Sequence, residues 1–507
     1  MKKIIAMLLA VMMVVGLFAA CGTKAPETTA PVDPVESTPE TTAPAVEGGD
    51  EVPTLVWVQV GGGQPANYES WQAKLNAYLE EKIGVHLDVQ VIGWGDWDNR
   101  RSVMVSTNEP YDLMFTNMGT FTSDVNMGAF ADISDLMAEV PALTDLIPQA
   151  YLDACVMNGG LYGIPAYKDS SMTNFFVWTK ELVDAHFPNY AEAHTLAEID
   201  EGMRAIYAAT NEAPLVLDQN GLSCVVGNKY DAALLGNVGI GIAYNGGTEF
   251  VPVYEQPDVL ADLAILQSWM ADGLINSDAA VRAEISGEYA MGVAQGWPGA
   301  AKTTWGPQRG VEVVVSQFED TVVSNDTVLG SITCISASSN YKLEALKLLE
   351  LVNTDYIVRD MLWYGEEGVN FEYVEEDGVR KVNKLNGDWT MAAYTQGTFF
   401  VATPVVGDAG YGEVQVQNEN AVASPAMGFI PDTTNIKNEL GAVQAVFEEY
   451  KSMIMTGTGG QEYIDEMMAA MRESGFDTIL NEVNAQYAAW QAAKKATSAQ
   501  TEYPCLA

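Results

Sequence analysis

The feature that most constrains the fold is a helical segment between two strand-like runs near residue 70. TLVWVQV (54–60) is an almost continuous apolar run, typical of a strand buried on both faces of a parallel sheet. Apolar residues then recur at spacings of three and four from Trp71 to Ile83, and Gly84 marks the end of this helix. VHLDVQVI follows with alternating apolar and polar residues, as in a half-buried strand. This order predicts a right-handed parallel β-α-β unit and an α/β protein.

The same alternation continues along the chain. YDLMFTN (111–117) is predicted to be a short buried strand that ends in polar residues, and 128–148 is predicted to be helical. Two late stretches, 438–455 and 461–491, also have helical periodicity. The chain has 507 residues, of which 48% are hydrophobic. A chain of this length is longer than a single hydrophobic core normally supports, so two lobes are expected.

Charge and residue usage exclude several classes of protein. The formal net charge is −43, which argues against nucleic acid as a partner and against direct binding to an anionic membrane face. The three histidines form no metal or catalytic pattern, and we predict no metal and no cofactor. Four cysteines of the body lie in no CxxC motif, and their disulfide state is left open: Cys155, Cys224, Cys334 and Cys505.

The N-terminus has the layout of a secretory signal peptide over residues 1–20. Lys2 and Lys3 precede an uncharged apolar run that ends in small residues. LFAAC, ending at Cys21, resembles the lipobox of bacterial lipoproteins, although Phe18 stands where leucine is usual. The resemblance implies that the thiol of Cys21 is acylated, for example with palmitate. An ordinary signal peptide and a signal anchor are the alternatives.

Residues 21–53 form a segment rich in Pro, Thr and Glu without hydrophobic periodicity. Such a segment cannot bury enough apolar area to offset its ordering entropy, so we predict a disordered tether. At up to roughly 3.1 Å per residue, about 32 residues reach on the order of 100 Å. A glycosylated stalk is the alternative.

Several motifs of the body occur in an order that resembles a known family. They are YDLMF, NGGLYGIPAYKDSS (158–171), EYAMGVAQGWPG (288–299), residues 328–355 and GFIPDTTNIKNELGAV (428–443). Together they resemble bacterial extracellular solute-binding proteins of family 1, in particular the large lipoprotein branch that serves carbohydrate ABC importers. No single motif is decisive, and the match rests on their order and spacing.

The resemblance implies a two-lobed, periplasmic-binding-protein-like (type II) α/β fold with a ligand cleft between lobes joined by hinge crossings. The crossings are expected near 162–169, near 328–336 and beyond Tyr394. The predicted bounds are 54–165 plus 332–395 for lobe 1 and 168–328 plus 398–495 for lobe 2.

A sugar site needs aromatic faces for the C–H side of each ring and polar groups for the hydroxyls. The candidates are aromatic and polar residues at predicted strand ends, turns and crossings, and for each of them packing in the protein interior is the alternative. They are Trp94, Trp97, Asn117, Thr120, Tyr167, Lys168, Asp169, Trp297, Trp305, Trp363 and Tyr364.

The predicted function is capture of a sugar or oligosaccharide by a monomeric, lipid-anchored protein on the extracellular face of the cell membrane. Delivery to the transmembrane subunits of an ABC permease would follow, without catalysis. A peptide or signalling-ligand binding protein of the same fold is one alternative. A surface glycoside hydrolase is another, but 68 acidic residues make pairs of carboxylates uninformative.

Overall fold

The computed structural model describes residues 52–501 except 237, 286 and 409, with side chains to residue 495. The predicted signal peptide, Cys21, nearly all of the tether and Cys505 lie outside these described residues. Of the cysteines within them, Cys155, Cys224 and Cys334 are free thiols.

A five-stranded sheet forms the first layer. Its spatial order is β2 (His86–Gly93), β1 (Thr54–Gly61), β3 (Leu113–Thr116), β13 (Ile332–Ile335) and β6 (Ile164–Pro165). β2 and β3 run parallel to β1, whereas β13 is antiparallel to β3 and β6. The predicted β-α-β unit is confirmed, because Tyr68–Ile83 is helical and Gly84 ends that helix in the left-handed region, at φ 67°.

A four-stranded sheet lies in the second part of the fold, in the order β11 (Met291–Gln295), β7 (Met172–Thr179), β12 (Val313–Val323) and β16 (Val422–Ala423). Three short strands form another sheet: β8 (Tyr230–Asp231), β9 (Ile240–Ala243) and β10 (Val251–Pro252). Two hairpins complete the strands: β4 (Val156–Met157) with β5 (Gly160–Leu161), and β14 (Phe371–Glu376) with β15 (Val379–Lys384).

Helices cover both sheets. The α-helices are α1 (Tyr68–Ile83), α2 (Trp97–Thr107), α3 (Met118–Asn126), α4 (Pro141–Leu146), α5 (Gln149–Ala154), α6 (Lys180–His186), α7 (Leu196–Thr210), α8 (Cys224–Gly227), α9 (Pro257–Ala271), α10 (Gly306–Arg309), α11 (Asn325–Val328), α12 (Lys342–Thr354), α13 (Tyr356–Tyr364), α14 (Gly412–Asn420), α15 (Lys437–Met455), α16 (Gln461–Glu473) and α17 (Phe476–Thr501). Short 3-10 turns lie at Ser134–Glu139, Tyr190–Glu192, Ala233–Leu235, Val253–Glu255, Ala279–Val281, Ala393–Thr395 and Thr434–Ile436, and a π turn lies at Ala301–Trp305.

Two predicted helices differ from the structure. The stretch 461–491 is two helices rather than one, because the chain turns between α16 and α17 at Gly475, which has φ +103°. A Cβ there would also lie 2.7 Å from Cγ of Glu439. The stretch 128–148 holds only the 3-10 turn at Ser134–Glu139 and α4, which starts at Pro141.

Each large sheet carries its own hydrophobic core. The first core surrounds Trp57 and Trp71 and draws on 55–167 and 323–362, with Met391 and Met427. The second surrounds Trp178 and Trp269 and draws on 176–318 and 426–487. The lobe bounds given above stay a prediction.

No helix among the described residues is both long enough and apolar enough to span a bilayer.

Candidate functional site

Three segments connect the two cores, and hydrogen bonds join these crossings to one another. The first is 166–171, between β6 and β7, and the second is 324–331, between β12 and β13. The backbone N–H of Ala166 donates to the carbonyl of Ser331 at 3.0 Å, which joins these two. They overlap the predicted crossings at 162–169 and 328–336 but begin and end at different residues.

The third crossing is 412–421, which contains α14 and leads to β16. The side-chain oxygen of Asn418 accepts hydrogen bonds from the N–H (3.1 Å) and the hydroxyl (2.7 Å) of Ser171 in the first crossing. Asn325 in the second crossing donates to the carbonyls of Ala426 (3.0 Å) and Phe429 (2.8 Å), just after the third crossing. Two buried asparagines therefore connect the first crossing to the third and the second crossing to the segment just after the third.

One edge of the first sheet collects the carboxyl ends of its three parallel strands. Ligands of open α/β sheets bind at this edge. Here the segment after residue 389 lies across the end of β1: the N–H of Gly62 donates to the carbonyl of Thr390 at 2.8 Å, and the Thr390 hydroxyl donates to the carbonyl of Gly63 at 2.7 Å. The edge is thus formed by residues more than 300 positions apart in the chain.

Two exposed aromatic rings lie at this edge. Trp94, directly after β2, is 51% exposed, and Tyr394 is 45% exposed. Their rings are nearly parallel, with an interplanar angle of 7° and centroids 6.2 Å apart. Large exposed aromatic side chains arranged in parallel are suited to contact the flat face of a ligand ring.

Asn117 and Thr120 lie at the end of β3. The Asn117 side chain caps α3 by accepting a hydrogen bond from the N–H of Gly119 at 3.0 Å. The Thr120 hydroxyl lies 2.8 Å from that of Thr116. Both side chains are half-buried and already partnered within the protein, and their predicted role in ligand binding stays a prediction.

Trp297 lies in the loop that follows β11, on the side of the second core. It is half-buried against a small cluster that includes Phe175 and Trp305. Helix α14 holds this loop, because Glu413 accepts from the N–H of Gly299 at 2.7 Å and Gln417 donates to the carbonyl of Gly296 at 3.1 Å. The third crossing therefore fixes the position of Trp297.

Three predicted site aromatics are buried in the protein interior. Trp97 is 3% exposed and packs on Phe115, and Tyr167 is 2% exposed between Tyr151 and Phe400. Trp305 is 8% exposed and contacts Phe175. Their burial favours packing, and ligand contact by them stays a prediction.

Lys168 and Asp169 lie in the first crossing, where they pair with each other at 2.7 Å. Asp169 is exposed, whereas the lysine side chain is largely covered. The pair lies in the first crossing, and its predicted contact with a ligand stays a prediction.

Trp363 and Tyr364 end α13 and pack on the segment that leads into the third crossing. Trp363 contacts Phe399 with centroids 4.7 Å apart, and the buried Tyr364 hydroxyl donates to the carbonyl of Thr403 at 2.8 Å. Arg359 lies over the Trp363 ring at 4.6 Å. These contacts favour a structural role for both aromatic residues, while their predicted ligand contact stays untested.

Arg359 holds the segment that carries Tyr394. It is 0% exposed, and its guanidinium donates to the carbonyls of Thr398 (2.6 Å) and Ala393 (2.8 Å). Burial lowers the pKa of Arg359 to about 9, so the group remains charged at neutral pH. Neither Arg359 nor Tyr394 was among the predicted site residues, because both depend on contacts distant in sequence.

Two family models match the chain. The model for bacterial extracellular solute-binding proteins matches residues 62–355, more than half of the 507-residue chain. The chain belongs to this family. Residues 425–492 also match a domain of unknown function, DUF3502.

A carbohydrate ABC transporter substrate-binding protein from Streptococcus pneumoniae serotype 4 is 25% identical over 465 residues, covering 87% of this chain and 92% of that protein. The crystal structure of NgtS, an N-glycan transport solute-binding protein from S. pneumoniae, superposes with a TM-score of 0.73 at 23% identity, covering 87% of this chain and 100% of that one. NgtS was also crystallised with Man1GlcNAc and with Man5GlcNAc.

A solute-binding protein from Bifidobacterium longum infantis, described as HMO-binding and associated with an ABC transporter, superposes with a TM-score of 0.58 at 15% identity. This match covers 86% of this chain and 98% of that one. The structural likenesses confirm the predicted two-lobed α/β fold class.

Proposed function

We propose that this protein captures a carbohydrate between its two lobes and delivers it to the transmembrane subunits of an ABC permease, without catalysing a reaction. Membership of the solute-binding family and the carbohydrate-transporter name of the pneumococcal relative support this proposal. The observation that carries it is the exposed, nearly parallel pair of Trp94 and Tyr394 at the ligand edge of the first sheet.

Indole and phenol faces suit sugars because one side of a pyranose ring presents mainly C–H groups. Covering roughly 100 Å² of such a face contributes on the order of 2.5 kcal/mol at ~25 cal/mol per Å². The contacts of two or three such aromatic side chains, after the free-energy cost of ordering the ligand is subtracted, give dissociation constants of about micromolar. Trp94 and Tyr394 belong to the side of the first core and Trp297 to the side of the second, so a sugar that contacts all three favours the closed arrangement of the lobes.

We expect Trp94→Ala, Tyr394→Ala and Trp297→Ala each to weaken glycan binding at least tenfold while leaving the protein folded. Each change removes an apolar platform of about the size estimated above. Isothermal titration calorimetry with Man1GlcNAc and Man5GlcNAc measures the affinities.

Tyr341→Ala is the matched control. Tyr341 is 40% exposed and follows β13 in the chain. The last residue of β13 pairs with the first residue of β3, so Tyr341 lies beyond the edge of the sheet opposite to the one that carries Trp94 and Tyr394. The Tyr341→Ala variant should bind the glycans with the affinity of the wild type. Binding of peptides but of no glycan by the wild type would contradict the carbohydrate function, and unchanged affinity in a variant would remove that residue from the site.

The protein acts, in this proposal, as a monomer held on the extracellular face of the membrane by a lipid on Cys21, with 21–53 as the tether. A tether of this length keeps the solute-binding protein near its permease. Because a lipid chain buries many methylene groups in the bilayer, the anchor does not require a membrane-spanning helix.

Cys21→Ala should abolish incorporation of a palmitate analogue during growth and release the protein into the medium. The alanine has no thiol to acylate. In-gel fluorescence of the labelled protein and a blot of the medium measure both effects. Cys224→Ala, which changes a half-buried thiol of the body, should stay labelled. A Cys21→Ala protein that is still labelled would disprove this lipid anchor.

A further inference from the structure

Helix α14 of the third crossing is bonded both to the first crossing and to the loop that carries Trp297. Val414 and Asn418 are 3% and 4% exposed and lie four residues apart, so they share one buried face of the helix. Asn418 accepts from the N–H and the hydroxyl of Ser171 and donates to the carbonyl of Lys168. The buried face of α14 is therefore fixed to the hinge.

The N-terminal end of α14 contacts the side of the first core. Tyr411, directly before the helix, packs its ring on Phe399 with centroids 4.8 Å apart and on Trp363 with centroids 5.8 Å apart. Trp363 lies in α13, whose Val358 and Leu362 belong to the first core. At its other end, α14 leads to β16, which pairs with β12 in the sheet of the second core. The helix is thus held by both halves of the molecule.

A second face of α14 holds the loop that follows β11. Glu413 and Gln417 are also four residues apart, so their side chains project from one side of the helix. The carboxylate of Glu413 accepts from the N–H of Gly299 at 2.7 Å. The amide of Gln417 donates to the carbonyl of Gly296 at 3.1 Å. Because Trp297 lies between these two glycines, both ends of the short segment that carries its indole are bonded to α14.

Gly299 lies where the indole and the carboxylate come together. A Cβ at this position would lie 2.9 Å from Oε2 of Glu413 and 3.1 Å from Nε1 of Trp297, closer than ordinary van der Waals contact. Only a residue without a side chain lets both groups approach the loop here. The position of α14 therefore bears directly on the orientation of the half-buried indole.

We propose that Glu413 and Gln417 are positioning residues for ligand binding, which hold the indole of Trp297 in an orientation that α14 sets. The inference rests on the proposed function, in which Trp297 contacts the sugar. Neither Glu413 nor Gln417 contacts the ligand, and both act through Trp297. Because Asn418 bonds the same helix to the first crossing, the indole takes its ligand-binding orientation together with the arrangement of the crossings.

The test is Glu413→Ala, which removes the acceptor of the Gly299 N–H. We expect its affinity for Man5GlcNAc, measured by calorimetry, to fall roughly threefold or more, because a hydrogen bond to a charged acceptor is lost. Gln417→Ala should weaken binding similarly, and the melting temperature of both variants should be that of the wild type. Glu419→Ala is the matched control, since Glu419 is an exposed glutamate of the same helix that accepts from Gln415 at 3.0 Å. Its affinity should be that of the wild type.

A double-mutant cycle separates positioning from a general structural role. In a Trp297→Ala background, Glu413→Ala should cause no further loss of affinity, because the side chain that Glu413 positions is absent. An equal loss with and without the indole would show that Glu413 acts elsewhere and would overturn the inference. Glu413→Gln should restore wild-type affinity, because its amide oxygen still accepts from the N–H of Gly299. A loss as large as that of Glu413→Ala would instead assign the effect to the charge and overturn the positioning role.

Failure of this inference is distinguishable from failure of the proposed function. If the wild type binds no glycan, both fail. If the wild type binds Man5GlcNAc and Trp297→Ala weakens binding, but Glu413→Ala and Gln417→Ala bind as the wild type does, only this inference is overturned. If Trp297→Ala also binds as the wild type does, Trp297 lies outside the site, so the inference fails while carbohydrate binding stands.

Discussion

Replacing Asn325 by alanine should lower the free energy of unfolding by about 3 kcal/mol or more. Asn325 is 1% exposed, and its side chain donates to the carbonyls of Ala426 and Phe429 and accepts from the N–H of Gly428 at 2.9 Å. Its removal takes away the donor to the buried carbonyl of Phe429 and the acceptor of the half-buried N–H of Gly428, and each unpaired group costs about 1–3 kcal/mol. The carbonyl of Ala426 still accepts from the N–H of Phe429 at 2.9 Å. Urea denaturation followed by tryptophan fluorescence measures the change.

Asn420→Ala is the control for this substitution, because Asn420 is exposed and its side chain donates to the carbonyl of Val416, one helical turn away. It should change the unfolding free energy by less than about 0.5 kcal/mol. A loss below about 1 kcal/mol in Asn325→Ala would contradict the assignment of Asn325 as a connection between the second crossing and the segment just after the third.

Arg359→Lys should cost about 3 kcal/mol of stability and also weaken glycan binding several-fold. Lysine keeps the buried charge, but its ammonium cannot reproduce the fork that contacts Thr398, Ala393 and Gln396. A buried charge with fewer acceptors is strongly unfavourable. Because the guanidinium holds residues on both sides of Tyr394, the ring of Tyr394 loses its fixed position.

Two measurements on this variant separate stability from binding. Calorimetry at 15 °C with Man5GlcNAc, where the variant is folded, reports the effect on the site, and urea denaturation reports the unfolding free energy. Arg380→Lys is the matched control, since Arg380 is exposed on β15 and lies over the rings of Tyr356 and Tyr373. Wild-type stability in Arg359→Lys would show that the carbonyls near Tyr394 do not need the guanidinium.

The sequence predicts well what depends on local periodicity. The β1-α1-β2 unit follows from apolar spacing and from Gly84, and the structure confirms each element. Helix breaks are harder to predict: the apolar periodicity of 461–491 continues across Gly475, where the backbone turns with φ +103° and a Cβ would meet Glu439 of α15 at 2.7 Å. Gly475 and Glu439 are 36 positions apart in the chain, so no local sequence pattern indicates their contact.

In the candidate site, too, the local sequence does not determine which side chains are exposed. Trp94 and Trp97 are three residues apart, yet Trp94 is 51% exposed and Trp97 only 3%. Trp97 begins α2 and turns inward to Phe115, whereas Trp94 precedes the helix and faces outward to Tyr394. Both lie in one Gly-rich turn in the sequence. Tyr394 itself becomes recognisable only once Thr390 is seen to lie across the end of β1.

The order in which the chain supplies its second core has a consequence for folding. The second core, which holds Phe176, Trp178 and Phe318 of the central strands, also includes Phe447, Ile464 and Tyr487 of the last three helices. This half of the molecule therefore cannot bury its apolar side chains until nearly the whole polypeptide is available. The last three helices therefore decide when this core is complete, and a polypeptide that ends before them leaves the apolar side of the central strands without part of its cover.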